Sequence, residues 1–249
     1  MIKPATSAFI HHDYIPTAST LILEQDIRRA IQRGDTKMCC SVQVTKTTTW
    51  ASDFVEIVSS LKKKYGHQIA IESAFEVGFW DASGRLDLPK SGLEPDLLIV
   101  RPTLVPYGNA VYTPRQIRLL WMDELTTPYM VFRHLFRAMI GAMWTYPNVV
   151  VAEPLHLVGQ VGLHEMDIPV EMLAGFAQAV AETQTSMILQ QTWVRGANSA
   201  VEVLRLFGLN QSGKSSGVTM EQVLQKRYSL SDLSPLEVNR VIVPRAYAA

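Results

Sequence analysis

The chain has 249 residues, enough for one large domain or two small ones, and 47% of them are apolar, ample for a packed core. Lys plus Arg equal Asp plus Glu at 23 each, which excludes a global field for holding a polyanion but not a local basic stripe, and only 18% of residues are charged, which fits either a large core or a surface partly covered, most simply by copies of the same chain. The only cysteines, Cys39 and Cys40, are neighbours that would face opposite sides of a strand, so a disulfide framework is excluded.

Residues 1–19 carry Pro4, Pro16 and small polar residues without periodicity, and read as an extended arm without the continuous apolar run of a signal peptide. Ser19-Thr20 then caps a helix over 21–33 that ends at Gly34. Residues 39–46 alternate, with Cys40, Val42 and Val44 against Ser41, Gln43 and Thr45, and predict a strand. A second helix starts at Trp50 to Asp53, places Phe54, Ile57, Val58 and Leu61 on one face, carries Lys62 to Lys64 at its C-terminal end and stops at Gly66. Strand patterns follow at 69–71, 75–79, 86–88 and 97–100, with a turn at Asp81 to Gly84.

After a proline-rich crossing over 102–114 the pattern becomes helical. Thr113-Pro114 opens a helix to Trp121, and Pro128 opens another to about Trp144. Ile168-Pro169 opens a long helix through Phe176, Val180, Met187 and Val194. A last helix spans 218–228, and 229–249 read as a second arm containing Pro235 and Pro244. The expected fold class is α+β: arm 1–19, a small α+β unit over 20–102, a mainly helical unit over 113–228, and arm 229–249. No stretch reaches the length of a membrane span, because the apolar region 129–163 is broken by Tyr146-Pro147-Asn148 and Glu153-Pro154.

Gly208-Leu-Asn-Gln-Ser-Gly-Lys-Ser215 fits the phosphate-loop pattern, but a working loop follows a buried strand, and here the preceding residues 200–207 continue a helical pattern. The segment reads better as a polar linker between helices. Glu94-Pro95-Asp96 before an apolar strand, with Glu72 and Glu76 upstream, resembles the metal-binding half of the PD-(D/E)xK nuclease core. That resemblance implies Mg²⁺-dependent phosphodiester cleavage, and it ends where Leu97 to Pro102 leads into no catalytic Lys. The histidines His11, His12, His67, His134, His156 and His164 lack zinc spacing, so no metal, cofactor or catalytic residue is nominated. Residues 207–220 resemble the tail of nucleoproteins of certain segmented negative-strand RNA viruses, and the α+β front has no counterpart there.

The segment from Tyr129 to Trp144 is apolar nearly all round yet carries Arg133 and Arg137 one turn apart. Buried arginines need anionic partners, either an internal carboxylate such as Asp123 or Glu124, or phosphate, with Arg115 and Arg118 on the preceding helix adding a second pair. The expected function is a non-enzymatic structural subunit of a homo-oligomer: a coat, nucleoprotein or lattice protein in a cytoplasmic-type compartment or a virion. Its arms would be anchored on neighbouring copies by Phe9, Ile10, Tyr14 and Ile15, and by Leu236, Val238, Val241, Ile242, Val243 and Tyr247. RNA or DNA is the second expected partner, through Arg115, Arg118, Arg133 and Arg137. A divergent Mg²⁺ nuclease and an accessory subunit of a larger complex are the alternatives.

Overall fold

The computed structural model describes residues 7–12, 19–90, 92–164, 167–189 and 241–242. The phosphate-loop match at 208–215, the expected helix over 218–228 and the anchors Tyr14, Ile15, Leu236, Val238, Val243 and Tyr247 lie outside them. Helices and a mostly parallel set of strands give the α+β class, arranged as two compact units, 1–77 with 87–99 and 78–86 with 100–249.

The first unit is built on consecutive β-α-β turns: β1 (Ser7–His12), α1 (Ser19–Arg33), β2 (Lys37–Gln43), α2 (Ala51–Tyr65) and β3 (Ala70–Val77), with β4 (Leu97–Val100) beside β3. Both β1 and β3 run parallel to β2, with Phe9 opposite Cys39 and Val42 opposite Phe75. Because side chains alternate across a strand, Met38, Cys40 and Val42 share one face with Ile71 and Phe75, and α2 closes that face by setting Phe54 against the Phe75 ring at 6.3 Å. Leu23, Ile27 and Ala30, at helical spacing, are the buried stripe of α1. Glu24 ties the two helices together, accepting from Lys64 Nζ (2.9 Å), Tyr65 OH (2.5 Å) and Arg28 (2.7 Å), and these donors hold its carboxyl at about 2.

The expected arm at the start of the chain is thus in part a strand of this unit, since Ser7–His12 pairs with β2 through its backbone. The expected strand at 86–88 is reduced to a single antiparallel bridge between Phe79 and Leu86.

The second unit contains β5 (Val105–Tyr107), β6 (Ala110–Tyr112), α3 (Pro114–Met122), α4 (Pro128–Thr145), β7 (Val149–Ala152), α5 (His156–Gln160), α6 (Val170–Thr183), β8 (Ser186–Leu189) and β9 (Val241–Ile242). The proline-rich crossing holds a hairpin: Gly108-Asn109 turns β5 into β6, and Gly108 takes φ +60°, which a two-residue hairpin turn requires. The long helix expected from Pro169 past Met187 ends at Thr183. Gln184 takes a left-handed conformation, Thr183 bonds back to the Ala179 carbonyl, and Ser186–Leu189 runs parallel to β7. Met187 fits a helical and a strand period equally well, and pairing with Val151 places it in the core, where it is 1% exposed. Val241–Ile242 pairs antiparallel with β8. Among the described residues no helix is long and apolar enough to cross a membrane.

Candidate nucleic-acid interface and subunit surface

Local sequence fixes both helices that carry the candidate arginines. Thr113 caps α3 by accepting from Gln116 N, and the Gln116 side chain accepts from Thr113 N in return, a complete capping box followed by Pro114. Thr127 caps α4 by accepting from Met130 N (3.3 Å), again with proline next. Helix α3 packs on β6 and α5, and α4 on α6, β5 and β7, so the β5–β6 hairpin is a shared neighbour of both.

Helix α4 is not buried all round. Val131, Phe132, Leu135, Phe136, Ala138, Met139, Ala142 and Met143 form its inner face, with Phe136 edge-on to Phe176 at 5.3 Å, while Arg133 and Arg137 are exposed. The expected internal carboxylate partner is therefore corrected: Asp123 and Glu124 are themselves exposed, and among the described residues no carboxylate lies within ion-pair distance of Arg133 or Arg137. An exposed guanidinium is hydrated by water and needs no internal counterion. The same holds for Arg115 and Arg118 on α3, which are exposed and without a carboxylate partner among the described residues.

Beside the α4 arginines on the same helix, half-buried His134 stands edge-on to Tyr107 at 4.6 Å, and Tyr107 meets Tyr112 at 6.2 Å. His134 is held below its ordinary pKa by burial first and then by the positive charges of Arg133 and Arg137. Burial and the two charges act in the same direction, each disfavouring the protonated imidazole. Two further features were not legible in sequence. Tyr129 (50% exposed) and Trp144 (61%) stand outside the core on the same helix, and Leu119 (51%), Met122 (68%) and Leu125 (69%) form an exposed apolar run along α3 and the turn after it. Residue type alone does not separate these five from core residues, and tertiary burial does.

No family model matches the chain, and no curated protein is detectably similar to it.

Three of the four carboxylates of the nuclease-like segment, Asp96, Glu76 and Glu72, have partners. Asp96 accepts from Ser73 N (2.7 Å), Ser73 Oγ (2.8 Å) and Lys62 Nζ (2.7 Å). Glu76, buried, accepts from Ser41 Oγ (2.7 Å), and Glu72 pairs with Lys37 at 2.8 Å. Among the described residues no group of three or more His, Cys, Asp or Glu is placed to hold a metal ion. A grouping that sequence did not bring together is Arg101, Glu153 and His156. Glu153, at φ +50°, accepts from Arg101 (3.2 Å) and faces His156 Nδ1 (3.5 Å), while His156 Nε2 meets Gln160 at 2.8 Å. A carboxylate shared between a guanidinium and an imidazole orients both, and it links the segment after β4 to α5.

Cys39 and Cys40 are free thiols and both are buried. Burial first, then Asp26, pushes the Cys40 thiol up to about 12, and Cys39 is raised by burial, Cys40 and Glu72 against the opposing effect of Lys37. The thiolate is the reactive form, so native protein at pH 8 should label with a disulfide reagent only as fast as it unfolds. Rapid labelling of both thiols in native buffer would contradict that burial.

Proposed function

We propose that the chain is a non-enzymatic structural subunit of a homo-oligomeric assembly, of coat, nucleoprotein or lattice type, acting in a cytoplasmic-type compartment or a virion. The observation that carries this reading is the exposed run Leu119, Met122 and Leu125. Large apolar side chains grouped on one surface are favoured only when another surface covers them. A second copy suits the role, because equal numbers of positive and negative residues leave no net repulsion between copies.

The arms serve the same end. Ser7–His12 lies beside β2 by backbone pairing, an arrangement that the arm of a neighbouring copy can supply equally well, with Phe9 and Ile10 at the paired positions and Val241 and Ile242 in the second arm. RNA or DNA is the second partner, held by Arg115, Arg118, Arg133 and Arg137, whose charges are unopposed by nearby carboxylates among the described residues.

Light scattering after size exclusion, with and without nuclease treatment, tests both parts. The expected result is an oligomer that Met122→Glu with Leu125→Glu reduces to a monomer of unchanged circular dichroism. A strict monomer before and after nuclease treatment, at every concentration up to the solubility limit, would overturn the assembly. An oligomer free of nucleic-acid absorbance as purified, and without affinity for added oligonucleotide, would retain the lattice and remove the nucleic acid.

A further inference from the structure

We propose that the outer face of α4 is a platform for single-stranded nucleic acid, on which Tyr129 and Trp144 stack against unpaired bases while Arg133 and Arg137 neutralise the phosphates between them. This rests on the nucleic-acid part of the reading above and names the form of ligand the site takes.

The four side chains share one stripe. At about 100° per residue, positions 129, 133, 137 and 144 fall within about 80° of one another, and at about 1.5 Å per residue they extend along about 22 Å of helix. All four are exposed, in a helix whose remaining large side chains are mostly buried. Two aromatic rings therefore bracket two guanidiniums on one open surface. An isolated exposed ring is unremarkable, but two rings flanking two cations that have no carboxylate partner among the described residues suit a polymer of flat bases joined by phosphates.

The rings decide between strand forms. In a duplex the base faces are stacked on one another and hidden, and only backbone and base edges are offered to the protein, so Tyr129 and Trp144 would find no face to stack on. A single strand offers both faces of each base, and its backbone can follow a straight helix.

Fluorescence anisotropy with a labelled oligothymidylate and a labelled duplex of the same length, across a salt series, tests the assignment. Wild-type protein should bind the single strand at least about tenfold more tightly than the duplex. Tyr129→Ala with Trp144→Ala should abolish that preference while leaving duplex binding and the melting temperature unchanged, and Tyr129→Phe with Trp144→Phe should restore it. Arg133→Ala with Arg137→Ala should weaken single-strand binding and reduce its logarithmic salt slope by about 1.4.

Equal binding of both probes, unaffected by the alanine pair at 129 and 144, would overturn the platform and leave the nucleic-acid reading standing. No binding of either probe at low salt would remove both, leaving the oligomer measured by light scattering. Preference for polyglutamate over the oligonucleotide would assign the stripe to an acidic protein and overturn the proposal.

Discussion

Gly141→Ala should destabilise the protein by about 3 kcal/mol, at the upper end for overpacking, and lower its melting temperature by about 6–12 °C. The expectation reverses the usual sign, since replacing glycine by alanine inside an exposed helix ordinarily stabilises by about 1 kcal/mol. The reason lies in the turn over 81–84, which crosses α4 with no side chain between the two backbones. A Cβ on Gly141 would run into the Ser83 carbonyl oxygen, with the Ser83 carbonyl carbon at 2.9 Å and Gly84 Cα at 3.3 Å. From the other side, a Cβ on Gly84 would meet the Ala142 backbone nitrogen, with the Ala138 carbonyl oxygen and the Gly141 carbonyl carbon each at 2.6 Å. Backbone atoms cannot swing aside as a flexible side chain can, so the turn or the helix must shift.

Gly84 carries the further demand of φ +96°, and Asp81 locks the turn by accepting from Ser83 N (2.8 Å), Ser83 Oγ (2.5 Å) and Arg85 Nε (2.6 Å). Gly84→Ala should therefore cost at least as much. The double variant should cost less than the sum, because one displacement relieves both clashes. A melting temperature for Gly141→Ala equal to or above wild type would show that the turn does not lie on α4.

Asp96→Ala should cost about 2 kcal/mol, chiefly because it strips the Ser73 backbone N–H and hydroxyl of their acceptor. The pairing is reciprocal, since Ser73 Oγ in turn accepts from Asp96 N at 3.1 Å. The Lys62 contact adds little, as both side chains are more than a third exposed, at 39% for Lys62 and 36% for Asp96, so Lys62→Met should cost well under about 1 kcal/mol. Burial alone would raise the Asp96 carboxyl, but the Lys62 ammonium and the Ser73 N–H and hydroxyl outweigh it and hold the pKa below the ordinary value. A carboxyl depressed on folding contributes stability above its unfolded pKa of about 4 and loses it as pH falls through the folded value. The gap between wild type and Asp96→Ala in urea denaturation should thus be full at pH 7 and narrow below about pH 4. A gap independent of pH would show that the ionised form of Asp96 is not what Ser73 and Lys62 hold.

The features legible in sequence are those fixed within a few residues. Thr113-Pro114 and Thr127-Pro128 start helices because the cap and the proline act on the very next turn, and the apolar residues Cys40 and Val42 mark a strand, expected over 39–46, that lies at Lys37–Gln43 with Ser41 buried as well. The hairpin at Gly108-Asn109 had its turn signal in place, but Pro102, Pro106 and Pro114 around it suggested irregular chain. At 149–152 the run Val-Val-Val-Ala has no alternation, because all four residues of β7 are buried, and at 186–189 the apolar residues suit either period.

For the candidate surface, the four arginines could be named from sequence because charge inside an apolar helix needs an explanation. Their exposure could not, nor could that of Tyr129 and Trp144, since residues within one helix face are sorted into covered and open only by what else packs there. Sequence by itself determined where helices α2, α3 and α4 begin, that Cys39 and Cys40 form no disulfide framework, and that the class is α+β, each set by local backbone preference and side-chain period. Tertiary structure alone decided the parallel pairing of β1 and β3 with β2, the close passage of Gly84 over Gly141, the pairing of Asp96 with Ser73, and the open stripe on α4. Each of these depends on contacts between residues far apart in the chain, and no local pattern specifies them.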